Sequence, residues 1–230
     1  MSTQLDGALA GLYPFLASER QDAEQLERAL LESVRQKAEE SVEVKRRFFA
    51  ENAERVVATA RAIAEVYRKG GRLYTMGNGG SSCDAAHIAV EFQHPVTAGR
   101  PALPAIDLAN DTAMITAVGN DVGFKHVFLR QVIAQVRKGD GVIGVSTSGN
   151  SENLLAAFTA AKERGAVTIA LVGSNGGKTR GHPGVDHCLV APSDSIHRVQ
   201  ETHVALYHIL WDLTHTLLAD DRGPAGAKEE

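Results

Sequence analysis

The chain has 230 residues, a formal charge of −4, 43% hydrophobic and 23% charged residues, which suits one α/β domain with a sizeable core and supplies no positive field to gather nucleic acid. No apolar run reaches the length of a membrane span, and Met1-Ser-Thr-Gln-Leu-Asp-Gly lacks the basic start and apolar stretch of an export signal. Cys83 and Cys188 are the only cysteines, so no disulfide framework or one-chain thiolate zinc site is expected, and a cytoplasmic setting is.

The N-terminal third reads as helix. Leu12, Tyr13, Phe15 and Leu16 cluster around Pro14. From about Ala23 to Lys69 apolar residues recur at helical spacing. Leu26, Leu30, Val34, Val42, Phe48 and Phe49 form one stripe, and Val56, Val57, Ala60, Ile63, Val66 and Tyr67 a second. Asn52 reads as the cap of that second helix, and Gly70-Gly71 as its end.

The pattern then changes to short apolar strands at 72–76, 102–108, 141–145, 167–172 and 187–191, with helices between most of them, notably 151–164. Such alternation predicts a parallel sheet buried on both faces, joined by right-handed crossovers. A last helix is expected from about Ser195 to Leu218. The expected architecture is therefore an α/β three-layer sandwich, a five-stranded parallel sheet flanked by helices. Its boundaries are a helical extension over 1–25, one domain over 26–218 and a disordered polar tail over 219–230.

Two loops carry the first functional signal. Gly77-Asn78-Gly79-Gly80-Ser81 follows a strand and opens a helix. Glycines admit an anion close to the backbone, and helix-start amides favour negative charge. Ser146-Thr147-Ser148-Gly149-Asn150-Ser151 repeats the arrangement with hydroxyls. Each alone is equally a structural turn or, at Ser151, a helix cap. Two at the carboxyl ends of strands in one sheet point to a phosphate. Neither matches a P-loop or a dinucleotide fingerprint, and Gly177-Lys178-Thr179 lacks the upstream glycine at the required distance. A small phosphorylated molecule is favoured over ATP or NAD.

With these loops, Cys83-Asp84-Ala85-Ala86-His87, Thr116-Ala-Val-Gly-Asn120-Asp121 and Arg198-Val-Gln200-Glu201 leading to His208, the chain resembles the SIS (sugar isomerase) fold, and within it the phosphoheptose isomerases, over roughly 26–217. The resemblance implies a homotetramer with sites between subunits, one zinc per subunit, and conversion of sedoheptulose 7-phosphate to the aldose D-glycero-D-manno-heptose 7-phosphate. It also implies residue roles. Asn78, Gly79, Gly80 and Ser81 would contact substrate, Asn120 and Asp121 its hydroxyls, and Ser146, Thr147, Ser148 and Ser151 its phosphate. His87, Glu91, Gln200 and His208 would be metal ligands, with Gln200 also near substrate.

Chemistry is consistent with that transfer. Moving a proton between C1 and C2 through an enediol needs a base at carbon, an acid at oxygen and stabilisation of the oxyanion. Glu91 is the expected base and His208 its acid partner, although metal binding competes with the basicity of Glu91. His87 and Glu91 lie one helical turn apart on one face, as ligands to one ion or as a hydrogen-bonded pair. Gln200 and His208 are separated by about 12 Å of helical rise. Either their side chains converge or ligands come from different subunits.

Two positions depart from the isomerase pattern: Pro95 stands where an arginine is usual, and His197 where an aspartate is usual. His94 and His197 read as surface histidines or as parts of an altered pocket. His182, His187 and His215 read as exposed. Non-catalytic alternatives are a phosphosugar sensor and an adaptor binding a replication initiator. Glu91 and His208 tilt the choice towards an enzyme.

Overall fold

The computed structural model describes residues 23–220. The apolar cluster around Pro14 and most of the polar tail lie outside them. The chain divides into a unit of residues 1–40 and a unit of residues 41–230. In the first, the described residues are the opening turns of helix α1 (Ala23–Arg68), with Leu26, Leu30, Leu31 and Val34 exposed. The boundary expected near residue 25 falls inside this helix.

The second unit holds the rest of α1 and all of the sheet. Parallel strands β1 (Leu73–Gly77), β2 (Ala105–Asp107), β3 (Gly141–Ser146), β4 (Val167–Gly173) and β5 (His187–Ala191) lie in the order β2-β1-β3-β4-β5. Between and after them run α2 (Gly80–Gln93), α3 (Thr112–Asp121), α4 (Val127–Gln135), α5 (Glu152–Glu163) and α6 (Ile196–Asp220). The α/β sandwich expected from strand and helix alternation is the fold observed.

Side chains alternate between two apolar layers, as strand geometry requires. Ile143, Val145, Ile169, Leu171 and Leu189 face one core with Phe48, Ile63, Phe92, Leu206 and Leu210 of α1, α2 and α6. Tyr74, Met76, Val142, Ala170 and Val172 face the other with Val118, Phe128, Val132 and Phe158 of α3, α4 and α5. Both faces are covered, so the strands carry almost no exposed residue.

One local expectation fails. Asn52 does not cap a second helix: α1 runs unbroken through it, and its buried side chain donates from Nδ2 to the Phe48 carbonyl at 2.9 Å. A capping residue type placed mid-helix turns back on its own preceding turn. Gly70-Gly71 does end the helix, their amides bonding the carbonyls of Tyr67 and Val66 at 3.0 and 2.9 Å. The difference is testable at exposed Ala53. Proline is tolerated as the first residue after a cap but breaks a helix interior. Ala53→Pro should therefore lower unfolding free energy by about 3 kcal/mol or more in urea titration. A loss under about 1 kcal/mol would mean that a helix does start there.

Candidate active site

The order β2-β1-β3 reverses the direction of chain progression between β1 and β3, the switch point at which an open α/β sheet forms a crevice at its strands' carboxyl ends. Gly77 pairs with Val145 across the two strands, so the loops that follow begin side by side. The Asn78 and Asn153 amides then clamp them together, with Nδ2-to-Oδ1 bonds of 3.0 Å from Asn78 and 2.8 Å from Asn153. Helices α2 and α5 both start at this crevice. Their dipoles favour an anion there, while the Ser81 and Ser82 amides at the start of α2 already bond the Asn78 and Gly79 carbonyls at 3.1 and 3.0 Å.

The second loop is shaped from within and braced from outside. Ser146 Oγ accepts the Gly149 amide at 3.1 Å and lies 3.0 Å from Ser151 Oγ. Ser151 is therefore not the side-chain cap of α5; its hydroxyl turns to the loop, and its carbonyl takes the Leu154 and Leu155 amides. Gly149 has φ +64°, and a Cβ there would lie 2.1 Å from the Gly176 carbonyl oxygen, so only glycine fits. Thr179 donates from its amide and hydroxyl to the Gly149 carbonyl at 3.0 and 2.7 Å, and Lys178 donates its amide to Asn150 Oδ1 at 2.9 Å. Gly177-Lys178-Thr179 thus acts as a brace, a role its sequence did not announce. The Ser148 and Ser151 amides have no hydrogen-bond partner among the described residues and line the crevice with the exposed Ser148.

A second group forms where α2 and α6 pack side by side, parallel and in register. Gly80 meets Gln200, His87 meets Tyr207 and Glu91 meets Trp211, a constant offset of 120 residues. His87 Nε2 lies 3.1 Å from Glu91 Oε1, and His87 Nδ1 2.7 Å from the Tyr207 hydroxyl. Trp211 Nε1 donates to the Glu91 carbonyl at 2.8 Å, and the Arg100 guanidinium lies 4.4 Å from the Trp211 ring centroid. One ligand atom each from His87, Glu91 and His208 falls within 4.8 Å of the others. Two imidazoles and a carboxylate, all half-buried, suit zinc with a coordination position left open.

The remaining expected site residues are placed differently. The Gln200 carboxamide lies against Gly80, where a Cβ would come within 2.2 Å of it. It sits beside the first loop, two helical turns from His208. Ser81 is buried behind that loop, and Thr147 is half-buried in the second. Asn120 and Asp121 are exposed at the end of α3, where Asn120 donates to Asp121 at 2.9 Å. No hydrogen bond joins them to the loops among the described residues.

His94 and His197 are both exposed, at opposite ends of the α2–α6 pair. The register separates them by about 25 Å, so they share no pocket within one chain. His215 is not on the surface: it is 1% exposed, stacked on Phe92 and edge-on to Trp211. His182 and His187 are half-buried rather than exposed.

Burial raises the Asp84 carboxyl to about 6, with His87 opposing, and lowers His203 to about 4, with its bond to the Val172 carbonyl opposing. The two act on stability with opposite signs. A raised acid contributes stability that is full below its unfolded pKa of about 4 and lost as pH rises through about 6. A depressed histidine contributes stability that is full above its unfolded pKa of about 6.5 and lost as pH falls through about 4. Between pH 7 and 4 they offset each other. Asp84→Asn removes one side. In urea titrations with chelator present, the variant should lose about 2 kcal/mol more than wild type between those pH values. Parallel profiles would show that Asp84 ionises at its ordinary pKa.

Residues 38–173 match the SIS domain family. The chain is 43% identical over 183 residues to a phosphoheptose isomerase of Roseiflexus sp. strain RS-1, covering 80% of this chain and 92% of that one. With one of Solidesulfovibrio magneticus it shares 45% over 175 residues, covering 76% and 84%. A solved phosphoheptose isomerase from Neisseria gonorrhoeae superposes with a TM-score of 0.76 at 38% identity, covering 81% of this chain and 99% of that one.

Proposed function

The chain belongs to the SIS domain family, and from that membership we propose that it is an aldose–ketose isomerase converting sedoheptulose 7-phosphate to D-glycero-D-manno-heptose 7-phosphate. The observation that carries this reading is the pairing of an anion crevice between β1 and β3 with the His87–Glu91–His208 group on the neighbouring helices. The first grips a phosphate, and the second handles protons at the far end of the same small sugar. Relatives over most of the chain bear the name phosphoheptose isomerase.

In this reading the Ser148 and Ser151 amides and hydroxyls hold the phosphate with Ser146 and Thr147, beside the α5 N-terminus. Asn78, Gly79, Gly80, Ser81 and Gln200 position the sugar chain. Glu91 Oε1 faces His87, which leaves its second oxygen to take the proton from C1. His208 gives a proton to the C2 carbonyl oxygen, forming the enediol. Glu91 then returns its proton at C2 while the C1 hydroxyl gives its proton back to His208, leaving an aldehyde and restoring both groups. Zinc, held by His87, Glu91 and His208, would polarise the carbonyl as a Lewis acid. Gln200 serves the substrate from its place beside Gly80, and joins the metal only by turning along its helix.

The test is the purified protein with zinc and sedoheptulose 7-phosphate, followed by NMR. Formation of the aldose phosphate is expected. Glu91→Gln should cut turnover at least a hundredfold, the order of a general-base contribution, with phosphate-ester binding retained. Binding without turnover in wild type would make the protein a sensor, and a Glu91→Gln rate equal to wild type would remove Glu91 as the base.

The assembly proposed is a homotetramer in the cytoplasm, with Asn120 and Asp121 completing a neighbour's site. Two observations support it: those residues are exposed, and so are Leu26, Leu30, Leu31 and Val34. A light-scattering mass of four chains is expected; a monomer in solution would end this part of the reading.

A further inference from the structure

Both ring nitrogens of His87 are engaged. Nε2 faces Glu91 Oε1 at 3.1 Å and Nδ1 faces the Tyr207 hydroxyl at 2.7 Å. An ionised carboxylate only accepts, so the ring proton sits on Nε2, and Nδ1 accepts from Tyr207. Binding a cation through the Nε2 lone pair requires the other tautomer. The ring proton must then sit on Nδ1 and be donated outward, as metal-bound histidines almost always arrange.

Tyr207 is placed to serve both arrangements without moving the ring. Its oxygen accepts from Nδ1 as readily as its hydroxyl donates to it. A phenol is un-ionised near neutral pH and so keeps both a donor and an acceptor. When Nδ1 becomes the donor, the hydroxyl hydrogen needs a new acceptor. Asp84 lies one turn before His87 on α2, is 8% exposed, and its Oδ2 has no hydrogen-bond partner among the described residues. The edge-on contact of Tyr207 with His208, centroids 4.8 Å apart, holds both rings of the trio against one phenol.

We propose that Tyr207 is the positioning residue of the metal centre, fixing the His87 ring so that Nε2 meets Glu91 and His208, with Asp84 as acceptor for the hydroxyl in the loaded state. This rests on the zinc reading above. No sequence signal picks out Tyr207, because its partner lies 120 residues away and the contact exists only through helix register.

The experiment is chelator competition for zinc with wild type and Tyr207→Phe, beside thermal unfolding of the metal-free proteins and nitrogen-15 NMR of labelled histidine. Tyr207→Phe should weaken zinc binding about tenfold to a hundredfold, the usual effect of losing such a partner. The protected Nδ1–H signal of His87 in the zinc-loaded protein should also be lost. A variant that melts earlier yet binds zinc within twofold of wild type has lost packing only, and overturns the proposal. If Tyr207→Phe does not fold, Asp84→Ala decides on the same assay: a severalfold loss supports the relay and an unchanged affinity overturns it. Wild type that binds no zinc overturns the metal reading itself, and this role with it.

Discussion

The parallel pairing of β1 with β3 is the constraint from which the rest follows. It brings two strand ends together where the chain changes its direction of progression through the sheet, with Gly77 beside Val145. Each strand delivers a helix, so two helix N-termini face one crevice; the Ser148 and Ser151 amides are unpaired there among the described residues, whereas those of Ser81 and Ser82 bond the Asn78 and Gly79 carbonyls. The reciprocal Asn78–Asn153 amide bonds keep the loops from separating. Neither loop would hold a phosphate as firmly alone, since one helix N-terminus contributes only about 1 kcal/mol to an anion in water.

The second requirement is a group at the correct distance from that crevice, and helix packing supplies it. α2 starts at the first loop and α6 lies parallel to it in register, so position along α2 measures distance from that loop. His87 is about two turns along, roughly 10 Å from the helix start. A sugar phosphate extended from the crevice spans that order of length. The same register brings Gln200 to the first loop and His208 to His87, so one helix reaches both groups of residues.

Several residues took structural parts that their type alone does not announce. Gly177-Lys178-Thr179 braces the serine loop through three hydrogen bonds to Gly149 and Asn150. Asn153, Tyr207 and Trp211 tie site residues to neighbouring elements. His215, near the end of the described chain, packs into the aromatic layer beside Phe92 and Trp211. These are long-range contacts, and a local pattern carries no trace of them. Asn52 shows the converse: a residue type that favours caps sits mid-helix because apolar burial on both sides of it outweighs a local preference.

Read alone, the amino-acid order determined the alternation of buried strands and amphipathic helices, the two anion-type loops and the His87–Glu91 spacing. Each of these is written within a few residues, by side-chain periodicity or by glycine and hydroxyl chemistry. Only the tertiary structure decided which strand ends became neighbours, that Gln200 lies beside the first loop and His208 beside His87, and that Tyr207 stands behind His87. Those outcomes depend on strand order and helix register, which are chosen by packing across the whole core rather than by any one segment.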